Sequence, residues 1–324
     1  MKTKLLMWLI VAALLTAAVS AGATPPKINV LSLGDSWATQ WCEDMEWVIR
    51  LHGVPVEVWD KGLYGTTSTI WATPGAMLDV LLTMLDHPEI EWTVVSMGGN
   101  DLLDGYLIGG YGEEVFPIIE ESVRVVIDQI LTLRPDMKIT YNGYDFPNFE
   151  HSLDCVLQGQ LYLGGNTYTQ NLLVARLAEL ADAIAADYPQ VTAVDLIGTL
   201  QEAGGTPFAP NYYRPSPGTF YPDDSECIHP RDGGYWHLMQ RLYDGFFEPL
   251  NQPGDDDDDD DDDNDDNDDN DDNDDDNDND DNDDDDDNDD NDDDDDDDID
   301  DDDSDANDGD NRDDDDTNGG GCFG

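Results

Sequence analysis

Short runs of apolar and β-branched residues alternate along the chain with longer segments in which apolar residues recur at helical spacing. Runs of four to eight such residues are typical of buried strands, whereas apolar positions every three or four residues are typical of amphipathic helices. This pattern predicts strands at residues 27–33, 56–60, 92–97, 138–141 and 191–196, and helices at residues 37–52, 74–86, 113–133, 169–187 and 232–247.

Strands that are separated by helices favour a parallel sheet with right-handed crossovers. We therefore expect an α/β fold, a flavodoxin-like three-layer α/β/α sandwich with a five-stranded parallel sheet. Ligands of such sheets bind at the carboxyl ends of the strands. Glycine-rich or polar segments follow four of the predicted strands, which indicates one site at that edge; they are residues 34–36, 62–65, 98–101 and 144–148. The segments 142–166 and 201–228 are expected to be long loops that form substrate walls.

The first 23 residues differ from the rest of the chain. Lys2 and Lys4 form a basic start, residues 5–18 are apolar, and small residues follow at 19–23. This order is typical of a secretory signal, with an N-terminal membrane anchor as the alternative. We expect a secreted protein, whether periplasmic, extracellular or held at the cell surface.

Residues 252–324 form an acidic tail that consists mostly of Asp and Asn. It contains 46 of the 78 acidic residues of a 324-residue chain whose net charge is −65. A segment of like charge with few apolar residues is expected to stay disordered. Its charge argues against nucleic acid as a partner and favours a monomer, while its carboxylates predict at most a loose association with Ca²⁺. Residues 24–251 remain as one globular domain.

Four cysteines occur in the chain, and export would permit them to form disulfides. Three of them, Cys42, Cys155 and Cys227, lie in the globular part, so at most one bridge is expected there. We expect the pair Cys155–Cys227, with Cys322 near the end of the tail. No spacing of ligating residues predicts a metal site, and no cofactor is predicted.

Four short motifs resemble those of the SGNH hydrolases, also called the GDSL esterase/lipase family. They are Gly34-Asp35-Ser36, a loop ending at Gly65, Gly98-Gly99-Asn100-Asp101, and Glu226-Cys227-Ile228-His229-Pro230. The motifs occur in the family's order and extend over nearly the whole globular region. The resemblance therefore covers the domain and not a single motif.

The resemblance implies a role for each motif. Ser36 would be the nucleophile and His229 its general base. The oxyanion would be bound by the backbone N–H groups of Ser36 and Gly65 and by the side-chain amide of Asn100. From the residues alone, Ser36 could instead be an ordinary helix N-cap.

One position departs from the family's pattern. The triad acid is usually an Asp three residues before the His, and this chain has Glu226 there. Glu226 is the expected acid. Asp223 or Asp224 is the alternative, and an active site without an essential acid is a third.

The function expected from the resemblance is that of a secreted serine esterase or lipase that forms an acyl-enzyme. A carbohydrate O-deacetylase of the same family is the nearest alternative. An alternative of another class is a surface-binding protein whose acidic tail associates with Ca²⁺.

Overall fold

A computed structural model describes residues 26–221, 225–231 and 233–248. Its sheet has five parallel strands: β1 (Ile28–Gly34), β2 (Val56–Gly62), β3 (Trp92–Ser96), β4 (Lys138–Tyr141) and β5 (Val191–Ala193). The strands lie in the order β2-β1-β3-β4-β5. This is the strand order of flavodoxin-like folds, so the predicted fold class is confirmed.

The central strands are buried on both faces, as their continuous apolar runs require. All seven residues of β1 and all five of β3 are buried. β2 lies at an edge of the sheet and has a more exposed pattern. β5 ends three residues earlier than predicted, because the Asp195 carboxylate accepts from the N–H of Ile197 (2.9 Å) and turns the chain out of the ladder.

Ten α-helices connect or flank these strands in the part of the chain that the structure describes. They are α1 (Ser36–Gln40), α2 (Cys42–Leu51), α3 (Ser68–Trp71), α4 (Pro74–Asp86), α5 (Gly99–Leu103), α6 (Val115–Leu133), α7 (Leu153–Tyr162), α8 (Thr167–Asp187), α9 (Thr199–Ala203) and α10 (Gly234–Leu242). Single π-helical turns follow α5 at Asp104–Ile108 and α10 at Tyr243–Phe247, and short 3₁₀ turns lie at Gly112–Glu114 and Gly218–Phe220.

The helices form two groups, which cover the two faces of the sheet. α2 packs against α10, whereas α3, α4 and α8 pack against α6. α6 has the apolar stripe that its spacing predicts, since Ile119, Val123 and Val126 are fully buried. The three layers leave the carboxyl ends of the strands open at one edge.

The short helices α3, α5 and α9 were not predicted, and two longer segments also differ from the prediction. The helix expected at 37–52 is divided at Trp41 into α1 and α2. α7 lies inside the segment 142–166 that we expected to be a loop. Its start carries an N-cap signal, because the Ser152 side chain accepts from the N–H of Cys155.

Several predictions concern residues that lie outside the described ranges. These are the signal at 1–23, the tail at 252–324 with Cys322, the alternative acids Asp223 and Asp224, and the predicted helix start at Asp232. Within the described ranges, no helix has both the length and the apolar character to cross a membrane.

Candidate active site

Ser36 is the first residue of α1, directly beyond the carboxyl end of β1. Gly34 ends β1 with φ +148°, and a Cβ there would lie 1.7 Å from the carbonyl oxygen of Ser96, so only glycine fits. Asp35 caps α1 by accepting from the N–H of Trp37 (3.0 Å). This turn holds the Ser36 side chain at the edge of the sheet.

His229 lies next to Ser36 although 193 residues separate them. The Oγ of Ser36 is 2.6 Å from Nε2 of His229. On the other side of the ring, Nδ1 is 3.1 Å from Oε1 of Glu226. A hydroxyl, an imidazole and a carboxylate in this order can transfer a proton from the serine to the ring and stabilise the resulting charge.

Glu226 folds back over its own segment to reach the histidine ring. Its Oε1 also accepts from the backbone N–H groups of Ile228 (3.2 Å) and His229 (2.9 Å). Burial opposes the charge, but the hydrogen bonds and the charge of His229 outweigh it and lower the pKa of Glu226 to about 2. The carboxylate is therefore ionised at neutral pH, and its extra methylene does not keep it from the ring.

Asn100 lies in the first turn of α5, after Gly98 has turned the chain with φ +112°. Its Nδ2 donates to the carbonyl oxygen of Thr66 (2.9 Å), the residue that follows Gly65. The neighbouring Asp101 accepts from the N–H (2.6 Å) and the hydroxyl (2.9 Å) of Ser68, so the loop after β2 is bound to α5 at two points. These bonds bring the Gly65 loop beside Asn100.

An apolar pocket opens beside Ser36, with a volume of about 70 Å³. Ser36, Asn100 and His229 all line it, whereas Gly65 is not among the described lining residues. Most of the other lining side chains are hydrocarbon; they include Leu102, Leu103, Phe149, Leu163, Val174 and Leu177. Three of the five predicted site residues therefore line one pocket, whereas Glu226 and Gly65 are not among its described lining residues.

Tyr144 joins the serine and asparagine segments, a role that the sequence analysis did not assign. Its hydroxyl donates to Oδ2 of Asp35 and accepts from the N–H of Gly99 (2.9 Å). Burial raises the pKa of Asp35 to about 6, although the bonds from Tyr144 and Trp37 act in the opposite direction. The position of Tyr144 just after β4 was the only signal for this role in the sequence.

Asp145 is a second buried residue that the sequence analysis did not single out. Its carboxylate accepts from the N–H groups of Phe146 (2.7 Å), Gly198 (2.6 Å) and Leu200 (2.7 Å). Burial raises the pKa of Asp145 to about 7 despite these bonds. The carboxylate connects the end of β4 to the start of α9, next to the pocket.

The expected disulfide between Cys155 and Cys227 is confirmed. It joins α7 to the segment that carries Glu226 and His229, across a sequence separation of 72 residues. The described residues contain no group of three His, Cys, Asp or Glu side chains that could hold a metal ion.

No family model matches the chain, and no curated protein matches it. Solved structures with a similar fold include an acetylxylan esterase from Geobacillus stearothermophilus, which is 15% identical with a TM-score of 0.46 over 69% of this chain and 94% of that one. A second acetyl xylan esterase is 16% identical with a TM-score of 0.45 over 67% and 98% of the two chains. A GDSL-like lipase from Parabacteroides merdae is 10% identical with a TM-score of 0.45 over 69% and 97%.

Proposed function

We propose that this protein is a serine ester hydrolase of the SGNH type, which cleaves carboxylic esters through an acyl-enzyme on Ser36. The observation that carries the proposal is the contact of 2.6 Å between the Ser36 hydroxyl and His229, whose other ring nitrogen faces Glu226. Four sequence motifs in the order of one family supply these residues together with Asn100.

In the first half of the reaction, Oγ of Ser36 attacks the ester carbonyl carbon while its proton passes to Nε2 of His229. The carbon–oxygen bond to the alcohol then breaks, and the same proton is given to the departing alcohol. In the second half, His229 takes a proton from water and the hydroxide attacks the acyl-serine. The bond from the carbonyl carbon to Oγ then breaks, His229 returns the proton to Oγ of Ser36, and the carboxylic acid leaves. Glu226 keeps the ring oriented and stabilises its positive charge in both halves.

Negative charge develops on the carbonyl oxygen in each half. The proposed donors are the backbone N–H groups of Ser36 and Gly65 and the amide of Asn100. An amide nitrogen carries two hydrogens. The bond from Asn100 to Thr66 uses one of them and fixes the direction of the other. Loss of one such donor typically costs about 3 kcal/mol of barrier lowering.

We also propose that the protein is exported and works outside the cytoplasm. The basic and apolar start of the chain supports this. So does the Cys155–Cys227 bridge, because disulfides of this kind persist mainly in oxidising compartments.

The test is hydrolysis of a p-nitrophenyl ester series from acetate to palmitate, with acetylated xylooligosaccharides added because a deacetylase is the nearest alternative. The full chain is compared with Ser36→Ala and His229→Ala. The chain offers a matched control in His87→Ala, since Nδ1 of His87 also lies 3.1 Å from a carboxylate, that of Glu89.

We expect both site variants to lose at least a thousandfold in kcat, as nucleophile and base variants of serine hydrolases do. His87→Ala should retain full activity. Folded Ser36→Ala protein that hydrolyses esters as fast as the wild type would refute the proposal. Hydrolysis of the acetylated sugars alone would assign the deacetylase.

A further inference from the structure

We propose that the apolar pocket beside Ser36 binds the acyl chain of the substrate and that Leu163 limits the length of that chain. The inference rests on the proposed function and adds a substrate class, esters of short unbranched fatty acids. The four sequence motifs do not include the residues of the pocket wall that lie on α7 and α8.

The pocket provides hydrocarbon surface and few available polar groups. Leu102 and Leu103 enter from α5, Val174 and Leu177 from α8, and Leu163 from the end of α7. Apolar walls favour a hydrocarbon occupant, because a sugar or glycerol hydroxyl would lose its hydrogen bonds with water there.

The two carboxylates of the lining, Asp35 and Asp145, already accept hydrogen bonds from other residues of the protein. Asp35 already accepts from Trp37 and Tyr144. Asp145 accepts from three backbone N–H groups. The other polar side chains of the lining are Tyr144, whose hydroxyl is bound to Asp35 and Gly99, and Trp37, whose buried indole N–H has no partner among the described residues. Ser36, Asn100 and His229 complete the polar lining and lie around the ester group itself.

The acyl chain suits this pocket better than the alcohol does. During the reaction the alcohol departs and water takes its place beside His229, so that side must remain open. The acyl group stays attached to Ser36 throughout and can occupy an enclosed space. The pocket is small, at about 70 Å³, so it suits a short acyl chain.

The position of Leu163 in the pocket wall is fixed by α7. This residue is 4% exposed and closes α7, where its N–H donates to the carbonyl oxygen of Gly159 (3.0 Å). A Cβ at Gly159 would lie 2.8 Å from the ring of Phe149, so α7 sits directly against a second wall residue. The Cys155–Cys227 bridge ties the same helix to the His229 segment.

The experiment measures kcat/KM of the full chain for p-nitrophenyl esters from acetate to dodecanoate, in the wild type and in Leu163→Ala. Burial of each methylene should raise kcat/KM about fourfold until the pocket is full. We expect a maximum near butanoate to hexanoate in the wild type. Removing three side-chain carbons should move that maximum roughly two to three carbons higher.

Leu173→Ala is the matched control. Leu173 is 7% exposed on α8, one residue before Val174, and is not among the described lining residues. It should lower stability without moving the maximum. A series for methyl to octyl butanoate separates the two ends of the ester, because the alcohol length should change kcat/KM much less than the acyl length does.

A binding arm distinguishes failure of this inference from failure of the proposed function. Calorimetric titration of Ser36→Ala with acetate, butanoate, hexanoate and octanoate reports on the pocket without catalysis. Chain-length-dependent binding that Leu163→Ala alters would support the inference even if no ester were hydrolysed. A steady decline of kcat/KM and of binding affinity from acetate upward would overturn the inference. Equal shifts of the preferred acyl-chain length in Leu163→Ala and Leu173→Ala would also overturn it.

Discussion

The hydroxyl of Tyr144 is expected to hold the Ser36 segment and the Asn100 segment in their relative positions. The variant Tyr144→Phe removes only that hydroxyl. The change deletes the bond to Oδ2 of Asp35 and the bond from the N–H of Gly99. The tyrosine ring, which packs edge-on to Trp37 at 5.0 Å, is kept. The variant therefore tests the two hydrogen bonds with little change in packing.

The magnitude follows from the burial of the groups that lose a partner. Asp35 is 2% exposed, and Gly99, whose N–H loses the other bond, is half-buried. A buried donor or acceptor left without a partner costs about 1–3 kcal/mol. One fully buried group and one half-buried group together predict a loss of about 2–4 kcal/mol in the free energy of unfolding. Since Asp35 directly precedes Ser36, we also expect kcat to fall at least tenfold with a smaller change in KM.

The pH dependence separates this role from a general loss of packing. The bond from Tyr144 lowers the pKa of Asp35, which burial has raised to about 6. The ionised form therefore benefits most from the bond, and the loss in Tyr144→Phe should be larger at pH 8 than at pH 5.

Denaturant unfolding at both pH values, with ester kinetics beside it, measures these effects. Tyr141→Phe is the control, since Tyr141 is fully buried and its hydroxyl donates to the carbonyl oxygen of Met97 (3.0 Å) instead of to a carboxylate. A stability loss below about 0.5 kcal/mol, or a loss independent of pH and equal to that of Tyr141→Phe, would refute the reasoning.

Three further predictions concern charge and the disulfide. Glu226→Gln should lower kcat at least tenfold while the protein remains folded, because the amide cannot stabilise a charged imidazole; unchanged ester kinetics would exclude Glu226 as the acid. The raised pKa values of Asp35 (about 6) and Asp145 (about 7) mean that the folded state binds more protons, so the free energy of unfolding should fall as pH rises from about 4 to 7. Urea titrations at several pH values check this, and a stability that rises over that window would contradict it. In the double variant Cys155→Ser/Cys227→Ser, the free energy of unfolding should fall by about 2–5 kcal/mol, and activity should be lost at lower urea concentrations than the global structure. Loss of activity and structure at the same urea concentration would show that the bridge does not hold the histidine segment.

The strand pattern and the four motifs predicted the fold and the meeting of Ser36 with His229. The fold was predictable because buried strands are continuous in sequence, whereas the meeting of Ser36 with His229 was implied by the resemblance of the four motifs to the SGNH hydrolases. The extent of β5 was predicted less well, since the Asp195 turn overrides the β-branched run.

The pocket wall was not predictable in the same way. A loop was expected where α7 lies, because the exposed side of this helix carries Leu153, Leu157 and Leu161. The segment therefore lacks the usual division into an apolar and a polar face. These hydrogen bonds of Tyr144 and Asp145 join residues that are more than 40 positions apart in the sequence, and no local spacing predicts them. Glu226 was the expected acid, and the structure adds that its folded-back side chain places Oε1 3.1 Å from Nδ1 of His229.

Covalent trapping with diethyl p-nitrophenyl phosphate tests the central claim, that His229 activates Ser36 as a nucleophile, most directly. The account predicts release of one p-nitrophenolate per protein, a phosphoryl adduct on the peptide that contains Ser36 in mass spectrometry, and a matching loss of ester hydrolysis. Labelling should disappear in Ser36→Ala and slow greatly in His229→Ala. An adduct on another residue, or hydrolysis that continues after Ser36 is fully labelled, would contradict the account.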